Sequence, residues 1–420
     1  MTATPDIEVS PAKEQRGSFL SGVRLLDITG ALAGPYCTTV LADLGAEVIK
    51  IEPVGGDSLR RRLVGTQEAG VPLPFDLIHR GKRSLAVDIK SDRGRDIIRR
   101  LSSRVDIVVE NFRVGALAQQ GLSYDDLKID NPDLIYCSIS GFGQNGPLRD
   151  AKGVDLIAQA YGGLLSVTGG TDGSLAKAGF PIADLGSGMW AAIGVLAALH
   201  RVRAGQGGAY IDVSLADTIA GWSVWEIADY LGSDKVPGPL GTAHRLAAPY
   251  QAFGCSDGRL LVIGATERSW LPLCQVLDID LSGQPQFSSE YERFIHRDEL
   301  EVILQQQFNT QPRDVWIERL RGVGVPCGPV NTIDQVLADE QFAARNLFPK
   351  GADRFGHERV VNTPIVSEGA PRAHCRAPEV GADSRDLLVE LGYGPIEISA
   401  LVEAGVIGAA GTTSSSGWQE

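Results

Sequence analysis

The sequence predicts an α/β fold with a large, doubly wound, Rossmann-like lobe and a smaller α+β domain. First, the opening half alternates short β-branched runs with helical segments, which is the order of parallel βαβ units. Second, residues from about 237 to about 335 change to a hairpin pattern followed by short helices. Third, 420 residues with 43% hydrophobic side chains can bury a substantial core and form two lobes.

The first βαβ unit begins with a predicted strand at residues 23–29, continues with a helix in AGPYCTTVLADLGA and ends with the strand EVIKIEP. Predicted strands at residues 84–90, 106–112 and 134–140 continue the pattern, with the helical RGRDIIRRLSSR between the first two. Doubly wound sheets bind ligands beyond the carboxyl ends of their strands. We therefore expect a ligand site near IEPVGGD, VDIK and ENFRVG.

The second half is predicted to contain one long helix, DLGSGMWAAIGVLAALHRVRAG, which ends in Gly205. The pattern as a whole predicts a large domain at 17–230 and a small domain at 237–335. A C-terminal segment at 345–407 ends in a helix pair, SRDLLVELGYGPIEISALVEAGVI, that is expected to return to the large domain. Residues 1–16 and 408–420 are expected to be disordered tails.

Composition excludes some classes of partner. The formal net charge of −13 disfavours nucleic acid or an anionic membrane, so an anionic ligand must meet a local basic site. The six cysteines are scattered without a CxxC pair, and the neighbours His374 and Cys375 do not form a metal-ligand cluster. We expect reduced thiols, no metal site and a cytoplasmic location, because no segment has the pattern of a signal peptide or a membrane span.

Asp184 is the candidate reactive residue, because GFPIADLGSGMWAAIG places one carboxylate between an apolar lead-in and a run typical of a buried helix. Local sequence favours a helix N-cap at Asp184. A carboxylate at a helix start stays ionised and can also serve as a nucleophile or base. The glycines at 179, 186 and 188 are expected to leave space for a bulky substrate. The sequence offers no GxxxxGK[ST] loop, metal cluster or serine–histidine pair as a competing centre.

Seven ordered motifs between about residues 22 and 407 resemble the class III coenzyme A transferases, the formyl-CoA transferase and carnitine CoA-transferase type. They are LAGPYCTTVLADLGAEVIKIEPVGGD, HRGKRSLAVDIK, DIVVENFRVGAL, GFGQNGP, DLIAQAYGGLLSVTG, IADLGSGMWAAIGVLAALHRVRAGQGGAYIDVSL and APYQAFGCSDG. The resemblance implies transfer of CoA from an acyl-CoA donor, for which succinyl-CoA is our expectation, to a free carboxylic acid. CoA is then a substrate, and no tightly bound cofactor is expected.

The resemblance assigns roles residue by residue. Asp184 matches the catalytic aspartate, which would form a mixed anhydride and then an aspartyl-CoA thioester. Asp155 aligns with a second acidic active-site residue, although alone it would be another helix cap. Lys90 and Arg113 are expected to bind phosphate. The full set of implied CoA contacts is Leu32, Ala33, Val87, Asp88, Ile89, Lys90, Asn111, Phe112, Arg113 and Lys152.

The sequence also departs from the family pattern. Leu32 replaces a glutamine of the formyl-CoA transferases, and Pro53 and Gln119 replace arginines that contact the coenzyme. The glycine-rich loop over the active site is replaced by GPLGTAHRLAAPY. These changes disfavour formyl-CoA and oxalate and favour a larger or less polar acid. His244 and Arg245 in this segment are either ligands of an acceptor carboxylate or ordinary loop residues.

Two alternatives to CoA transfer stay open. The related α-methylacyl-CoA racemases have a histidine immediately before the position of Asp155, where this chain has Val154, which cannot transfer a proton. A non-catalytic acyl-CoA-binding subunit is the other alternative, and the presence of Asp184 argues against it. The resemblance also implies a homodimer of interlocked rings, or a heteromer with a homologous subunit.

Overall fold

The computed structural model describes residues 18–61, 73–281, 283–349, 360–366 and 376–408. The expected tails lie outside these residues, except for Gly408. The strands are β1 (Arg24–Ile28), β2 (Glu47–Glu52), β3 (Arg83–Val87), β4 (Ile107–Glu110), β5 (Ile135–Ser140), β6 (Ala209–Ser214), β7 (Tyr250–Gly254), β8 (Leu260–Gly264), β9 (Cys327–Pro329) and β10 (Ile407–Gly408).

The helices of the N-terminal half are α1 (Ala33–Asp43), α2 (Leu73–His79), α3 (Asp92–Ser102), α4 (Tyr124–Leu127), α5 (Asp155–Tyr161), α6 (Leu164–Val167) and α7 (Ile182–Arg203). Those that follow are α8 (Leu215–Trp222), α9 (Val224–Ser233), α10 (Glu267–Leu277), α11 (Glu290–Ile295), α12 (Arg297–Phe308), α13 (Arg313–Gly322), α14 (Ile333–Ala338), α15 (Glu340–Ala344), α16 (Ser384–Glu390) and α17 (Pro395–Glu403).

The large sheet has the strand order β10-β3-β2-β1-β4-β5-β6. Strands β1 to β6 are parallel, and β10 pairs with β3 in the antiparallel direction. The 3-2-1-4-5-6 order is that of a doubly wound dinucleotide-type fold, so the predicted fold class is confirmed. The chain reverses its direction of strand addition between β1 and β4, and that point is where such sheets form their ligand crevice.

Alternation along the strands separates the two faces of this sheet. On one face, Leu26, Ile28, Ile49 and Ile51 pack in a core with residues of α3, α16 and α17. On the other face, Asp27 contacts α1 through the hydroxyl of Thr38. Because α1 and α7 both run antiparallel to the strands that they adjoin, both begin at the carboxyl edge of the sheet.

The chain divides into two compact units. The first contains the large sheet and comprises the described residues up to 162, residues 179–222 and the described residues from 340 onward. The second comprises 163–178 and 223–339. It contains the sheet β7-β8-β9, whose first two strands form the hairpin that the sequence predicted. The predicted boundaries, 17–230 and 237–335, differ from this division.

The difference has a local cause in the second unit. Residues 163–178 lie far from 223–339 in sequence, but the N–H of Gly241 donates to the carbonyl of Gly169 at 2.9 Å. Arg245 forms ion pairs with Glu226 and Asp229 on α9, which ties 223–236 to the same unit. Neither contact follows from a periodic pattern in the sequence.

Helix α7 is long and apolar enough to cross a membrane by length and composition, and it is the one such helix among the described residues. Half of its most apolar window is buried inside the protein. The buried positions are mainly alanine, glycine and serine, and α7 packs along α1 and beside β5 and β6. This is the environment of a core helix, which passes the same test of length and composition.

Candidate active site

Asp184 lies in the first turn of α7, which begins at Ile182. The N-cap position belongs to Pro181, whose side chain has no oxygen to accept an N–H bond. The N-cap role that local sequence favoured for Asp184 is therefore wrong, because Asp184 is inside the helix. Its carboxylate makes no hydrogen bond or ion pair with any of the residues that the structure describes.

Asp155, the first residue of α5, supplies the missing cap of α7 from a different part of the chain. Its Oδ1 accepts hydrogen bonds from the backbone N–H groups of Ala183, at 2.8 Å, and Asp184, at 3.3 Å. Its Oδ2 accepts from Nε2 of the buried Gln159 at 2.6 Å. Asp155 therefore fixes the helix turn that holds Asp184 and places a second carboxyl group beside it.

The electrostatic setting of Asp184 favours its neutral form. Burial raises the pKa of Asp184 from its ordinary value of 3.8 to about 6, and the neighbouring charge of Asp155 adds to the effect. The first turn of a helix normally favours an anion. Here desolvation and like charge outweigh that contribution, so the carboxylate is poorly solvated and uncompensated at neutral pH. An anion in this state is more nucleophilic than one in water.

Gly179, Gly186 and Gly188 were expected to leave open space around Asp184, and this expectation is wrong for the two that lie in α7. A Cβ added at Gly186 would lie 2.2 Å from the ring of Trp222, and one at Gly188 would lie 2.6 Å from the carbonyl oxygen of Ala33. Both glycines thus permit close packing of helices. Only Gly179 has no atom within 4 Å of its added Cβ.

The contact at Gly188 relates Asp184 to the loop between β1 and α1. Asp184 precedes Gly188 by four residues, so both lie on one face of α7, about one helical turn (~5.4 Å) apart. Gly188 packs against Ala33 at the start of α1. Asp184 therefore projects from the carboxyl edge of the sheet, on the side where Leu32 and Ala33 begin α1.

A cavity of about 560 Å³ opens at this same edge, around the switch point between β1 and β4. Its walls come from the ends of β1 and β2, the turn after β2, the loops after β3 and β4, and residues 116, 117, 119 and 120. Of the predicted coenzyme contacts, the cavity brings together Ile89, Lys90, Asn111, Phe112 and Arg113. A cavity of this size in this place is typical of nucleotide sites in doubly wound sheets.

Two polar contacts fix the loop after β1 at the rim of the cavity. The Asn111 side chain exchanges two hydrogen bonds with the backbone of Gly30, each 2.8 Å long. The Lys50 ammonium donates to the carbonyl of Thr29. Ala31, the residue after Gly30, has a φ of 57°, a left-handed backbone conformation that residues other than glycine rarely adopt. The surrounding bonds hold this strained turn in place.

The other predicted coenzyme contacts do not line this cavity. Val87 is buried in β3, Ala33 is buried under α7, and Leu32 is partly buried immediately before α1. The Asp88 carboxylate accepts the backbone N–H of Lys90 at 3.0 Å, which shapes the turn after β3. Lys152 is exposed in the loop before α5, three residues from Asp155. These five residues therefore stay predictions as coenzyme contacts.

The cavity includes charged residues that the sequence did not single out. Lys50 and Asp57 form an ion pair at 3.1 Å, and both are almost fully buried. Arg61 lies on the wall in the turn after β2. The sequence could have indicated Lys50, because this lysine lies within EVIKIE, a predicted strand of a parallel sheet. Both faces of such a strand are buried, so a charged side chain on it needs a partner of opposite charge.

His244 and Arg245 have different surroundings in the second unit. The Arg245 guanidinium contacts the carboxylates of Glu226, at 3.4 Å, and Asp229, at 3.2 Å. The His244 ring stacks on Tyr250 with centroids 4.8 Å apart, and its Nδ1 accepts the N–H of Leu246. His244 lines a cavity of about 560 Å³ within this unit. A role for either residue toward an acceptor acid stays a prediction.

The described residues contain no group of three or more histidine, cysteine, aspartate or glutamate side chains placed to hold a metal ion. Five of the six cysteines fall within them, and each is a free thiol. Burial raises the pKa of the Cys37 and Cys137 thiols well above its ordinary value, so neither is a thiolate nucleophile at neutral pH. Cys375 and its neighbour His374 lie outside the described residues.

A doubly wound sheet, a cavity at its switch point and an uncompensated carboxylate beside that edge are typical of an α/β enzyme that acts on a nucleotide-bearing substrate. The chain belongs to CoA-transferase family III, whose model matches residues 20–384. It is therefore a CoA-transferase. The resemblance stated from the motifs is confirmed.

Similar proteins agree with this assignment. The chain is 36% identical to a succinate–glutarate CoA-transferase of Agrobacterium fabrum over 89% of this chain and 95% of that protein. It is 34% identical to the human succinyl-CoA:glutarate CoA-transferase over 92% of this chain and 90% of that protein. A crystal structure of a CaiB/BaiF family protein from Brucella suis matches with a TM-score of 0.78 and 34% identity, covering 90% of this chain and 100% of that one.

Proposed function

We propose that this protein transfers CoA from succinyl-CoA to a free dicarboxylic acid through covalent intermediates on Asp184. The observation that supports this most directly is the state of Asp184, a partly buried carboxylate beside Asp155 with a pKa of about 6. Such a group is ionised at neutral pH but lacks a compensating cation among the described residues. It can therefore act as a nucleophile toward a thioester.

The proposed reaction begins when an Asp184 oxygen attacks the thioester carbonyl of the donor. The C–S bond breaks, and the CoA thiolate leaves behind a mixed anhydride. The thiolate then attacks the aspartyl carbonyl of Asp184, the anhydride C–O bond breaks, and the donor acid departs as a carboxylate. Asp184 now carries CoA as a thioester. Both steps exchange one anion for another, so neither requires a proton donor.

The second half reverses these steps with the acceptor acid. The acceptor carboxylate attacks the aspartyl thioester, and the CoA thiolate leaves. The thiolate then attacks the acyl carbon of the new anhydride, which forms the product acyl-CoA and restores the Asp184 carboxylate. The protein must exclude water during these steps, because water would hydrolyse either intermediate. Gly186 and Gly188 let α7 pack closely against Trp222 and Ala33 within about one turn of Asp184.

The cavity at the switch point is the proposed site of the coenzyme nucleotide. Within this cavity, Glu52 forms a bidentate ion pair with Arg60, and Asp57 forms an ion pair with Lys50. The negative charges of the two acids are therefore compensated and do not repel an anionic ligand. Lys90 and Arg113 line the same walls and supply positive charge. An otherwise acidic protein thus offers a basic site for phosphate groups.

The donor and acceptor are proposed from the names of the relatives. Two relatives are named for succinate or succinyl-CoA and for glutarate. Leu32 lies immediately before α1, on the side from which Asp184 projects, and an apolar side chain there suits an acid with a methylene chain. Succinyl-CoA and glutarate are therefore the first pair to assay.

We propose that a second copy of the chain covers an apolar face of α7. Met189, Trp190 and Ile193 are each about half exposed, although they lie in the middle of the helix. Exposed apolar side chains in such a group mark an interaction surface. Light scattering after gel filtration should give the mass of a dimer, and a stable monomer at micromolar concentration would contradict this proposal.

The mechanism is tested by mass spectrometry of the full-length protein after incubation with succinyl-CoA, followed by hydroxylamine. We expect a succinyl-CoA-dependent hydroxamate on the peptide that contains Asp184. Asp184→Ala should remove the label and lower CoA transfer by roughly 10³-fold or more, because no other group replaces the nucleophile. Asp217→Ala is the matched control, since Asp217 is an exposed acid on α8.

Each other outcome identifies an alternative. If Asp184→Ala keeps both label and transfer, the nucleophile is a different residue. If the wild type exchanges the α-hydrogen of an acyl-CoA for deuterium without labelling Asp184, the reaction is racemase-like. Binding of CoA without label or exchange would identify a non-catalytic subunit.

A further inference from the structure

We propose that Arg61 binds a phosphate group of the coenzyme and thereby contributes to recognition of CoA; this rests on the proposed function of the cavity. Arg61 lies on the cavity wall with Lys90 and Arg113 but comes from a different segment, the turn after β2. Its side chain is exposed and makes no ion pair with the part of the chain that the structure describes. It is available to an anionic ligand.

The neighbouring arginine, Arg60, shows what a structural role looks like in the same turn. Its guanidinium binds both carboxylate oxygens of Glu52 at 2.7 Å, donates to the carbonyl of Pro378 and lies 3.8 Å from the centre of the Phe75 ring. All of its strong contacts are internal. Arg60 anchors the turn, and Arg61 is the residue that this anchor presents to the cavity.

The turn itself is fixed at several points, so Arg61 does not depend on a loose loop for its position. The Glu52 carboxylate accepts the N–H of Asp57 at 3.0 Å, and Asp57 accepts the N–H of Leu59 at 2.8 Å. Asp57 is also held by the buried Lys50. A cation on a fixed turn loses less conformational freedom on binding and therefore contributes more affinity.

The charge distribution around the cavity makes a further cation useful. Pro53 and Gln119 line the walls with neutral side chains, and the Lys50 charge is compensated by Asp57. CoA contains a pyrophosphate and a 3′-phosphate, so its negative charge extends over two separate groups. Arg61 and Arg113 approach the cavity from two different loops, which suits phosphates that are separated in space.

The test is calorimetric binding of CoA and of 3′-dephospho-CoA to the full-length wild type and to Arg61→Ala. We expect Arg61→Ala to weaken CoA binding by roughly 10- to 100-fold, the usual effect of losing a charge-assisted hydrogen bond. If only CoA is affected, Arg61 contacts the 3′-phosphate. If both ligands are affected equally, Arg61 contacts the pyrophosphate. Arg61→Lys should restore part of the affinity, because the charge remains.

Arg203→Ala is the matched control. Arg203 is exposed in the last turn of α7, at the opposite edge of the sheet, so its removal changes the net charge equally without touching the cavity. If Arg61→Ala binds both ligands as tightly as Arg203→Ala does, the role of Arg61 is refuted while the proposed function stands. If the wild type binds neither ligand, the coenzyme site itself is refuted, and Arg61 with it.

Discussion

Asp27 and Asp184 are both aspartates at the carboxyl edge of the large sheet, and their surroundings give them opposite properties. Asp27, near the end of β1, is completely buried, and the Lys82 ammonium lies 2.9 Å from its Oδ2. Asp184 is partly buried beside another carboxylate. The pKa of Asp27 is lowered, because Lys82, Lys50 and the Thr29 hydroxyl offset the cost of its burial. The pKa of Asp184 is raised to about 6.

The difference shows that burial alone does not determine whether a carboxylate is structural or reactive. Burial opposes the charge of both residues. At Asp27 two lysines restore the anion, and the resulting network holds β1 to α1 and to the turn before β3. At Asp184 the nearest charge has the same sign. The first aspartate should therefore stabilise the fold through its charge, whereas the second should destabilise it.

Asp27→Asn is the largest expected effect on stability. It leaves the Lys82 ammonium buried without its counterion, which typically costs about 3–5 kcal/mol in the free energy of unfolding. Asp27 accepts hydrogen bonds from Thr29 on Oδ1 and from Thr38 and Lys82 on Oδ2, and asparagine keeps only one of these two acceptors, so the loss includes hydrogen bonds as well as the charge. Chemical denaturation at pH 7 measures it. Because the pKa of Asp27 is lowered in the folded state, the wild type should lose this contribution as the pH falls through that lowered value.

A double-mutant cycle with Lys82→Met separates the pair from its surroundings. Asp27→Asn combined with Lys82→Met should be markedly more stable than Asp27→Asn alone, because no unpaired cation remains. Equal stability of the single and double variants would show that the ion pair contributes little. In that case the contrast with Asp184 would not depend on charge compensation.

Much of the fold was predictable from local pattern, but the ion pairs that distinguish the two aspartates were not. Strands β1 to β5 follow from β-branched runs that alternate with helices. Strand β6 and the two-residue β10 were not predicted, since the first lies inside a motif between two helices and the second depends on pairing with β3. Lys50 and Lys82 are buried against the usual preference of lysine, and only tertiary contacts show their partners.

The candidate site was also only partly predictable, because some of its contacts join residues that are distant in the sequence. Asp184 and the residues of VDIK and ENFR came from a family resemblance, and the structure brings the second half of VDIK and all of NFR to one cavity. Asp155 caps α7 by accepting the N–H groups of two residues that lie 28 and 29 positions further along the chain, so no local sequence pattern could show this contact. Arg61 required the cavity itself.

Asp184→Asn should change the free energy of unfolding in the opposite direction to Asp27→Asn and by a smaller amount. It removes a charge that the folded state holds unfavourably, so it should raise the free energy of unfolding at pH 7 by about 1–3 kcal/mol. The gain should shrink as the pH falls from 6 towards 4, where the wild-type carboxyl becomes protonated. Asp217→Asn, at an exposed acid on α8, is the matched control. A destabilised Asp184→Asn at pH 7 would remove the contrast between the two aspartates.

Asp155→Asn should give the smallest effect, which is a shift in the pH dependence of the rate of succinyl transfer to Asp184. The rate of succinyl transfer to Asp184 should fall as the pH drops below about 6 in the wild type, because only the carboxylate attacks. The asparagine Oδ1 can still accept the N–H groups of Ala183 and Asp184, so the first turn of α7 keeps its cap while the neighbouring charge is lost. The acid limb should move to lower pH by up to ~1 unit, giving up to ~10-fold more activity near pH 5 and no gain at pH 8.

The acid limb of Asp155→Asn should shift only to this limited extent, because the charge of Asp155 is the smaller of the two causes of the raised pKa of Asp184. Burial is the larger contribution to the pKa of Asp184, and Asp155→Asn leaves it in place, so the limb cannot return to the ordinary value of 3.8. Asp155→Ala, which removes the cap as well, should lower the rate at every pH, since the first turn of α7 loses the acceptor for Ala183 and Asp184. If the acid limb of Asp155→Asn coincides with that of the wild type, Asp155 acts on Asp184 only by holding the helix, and desolvation alone distinguishes Asp184 from Asp27.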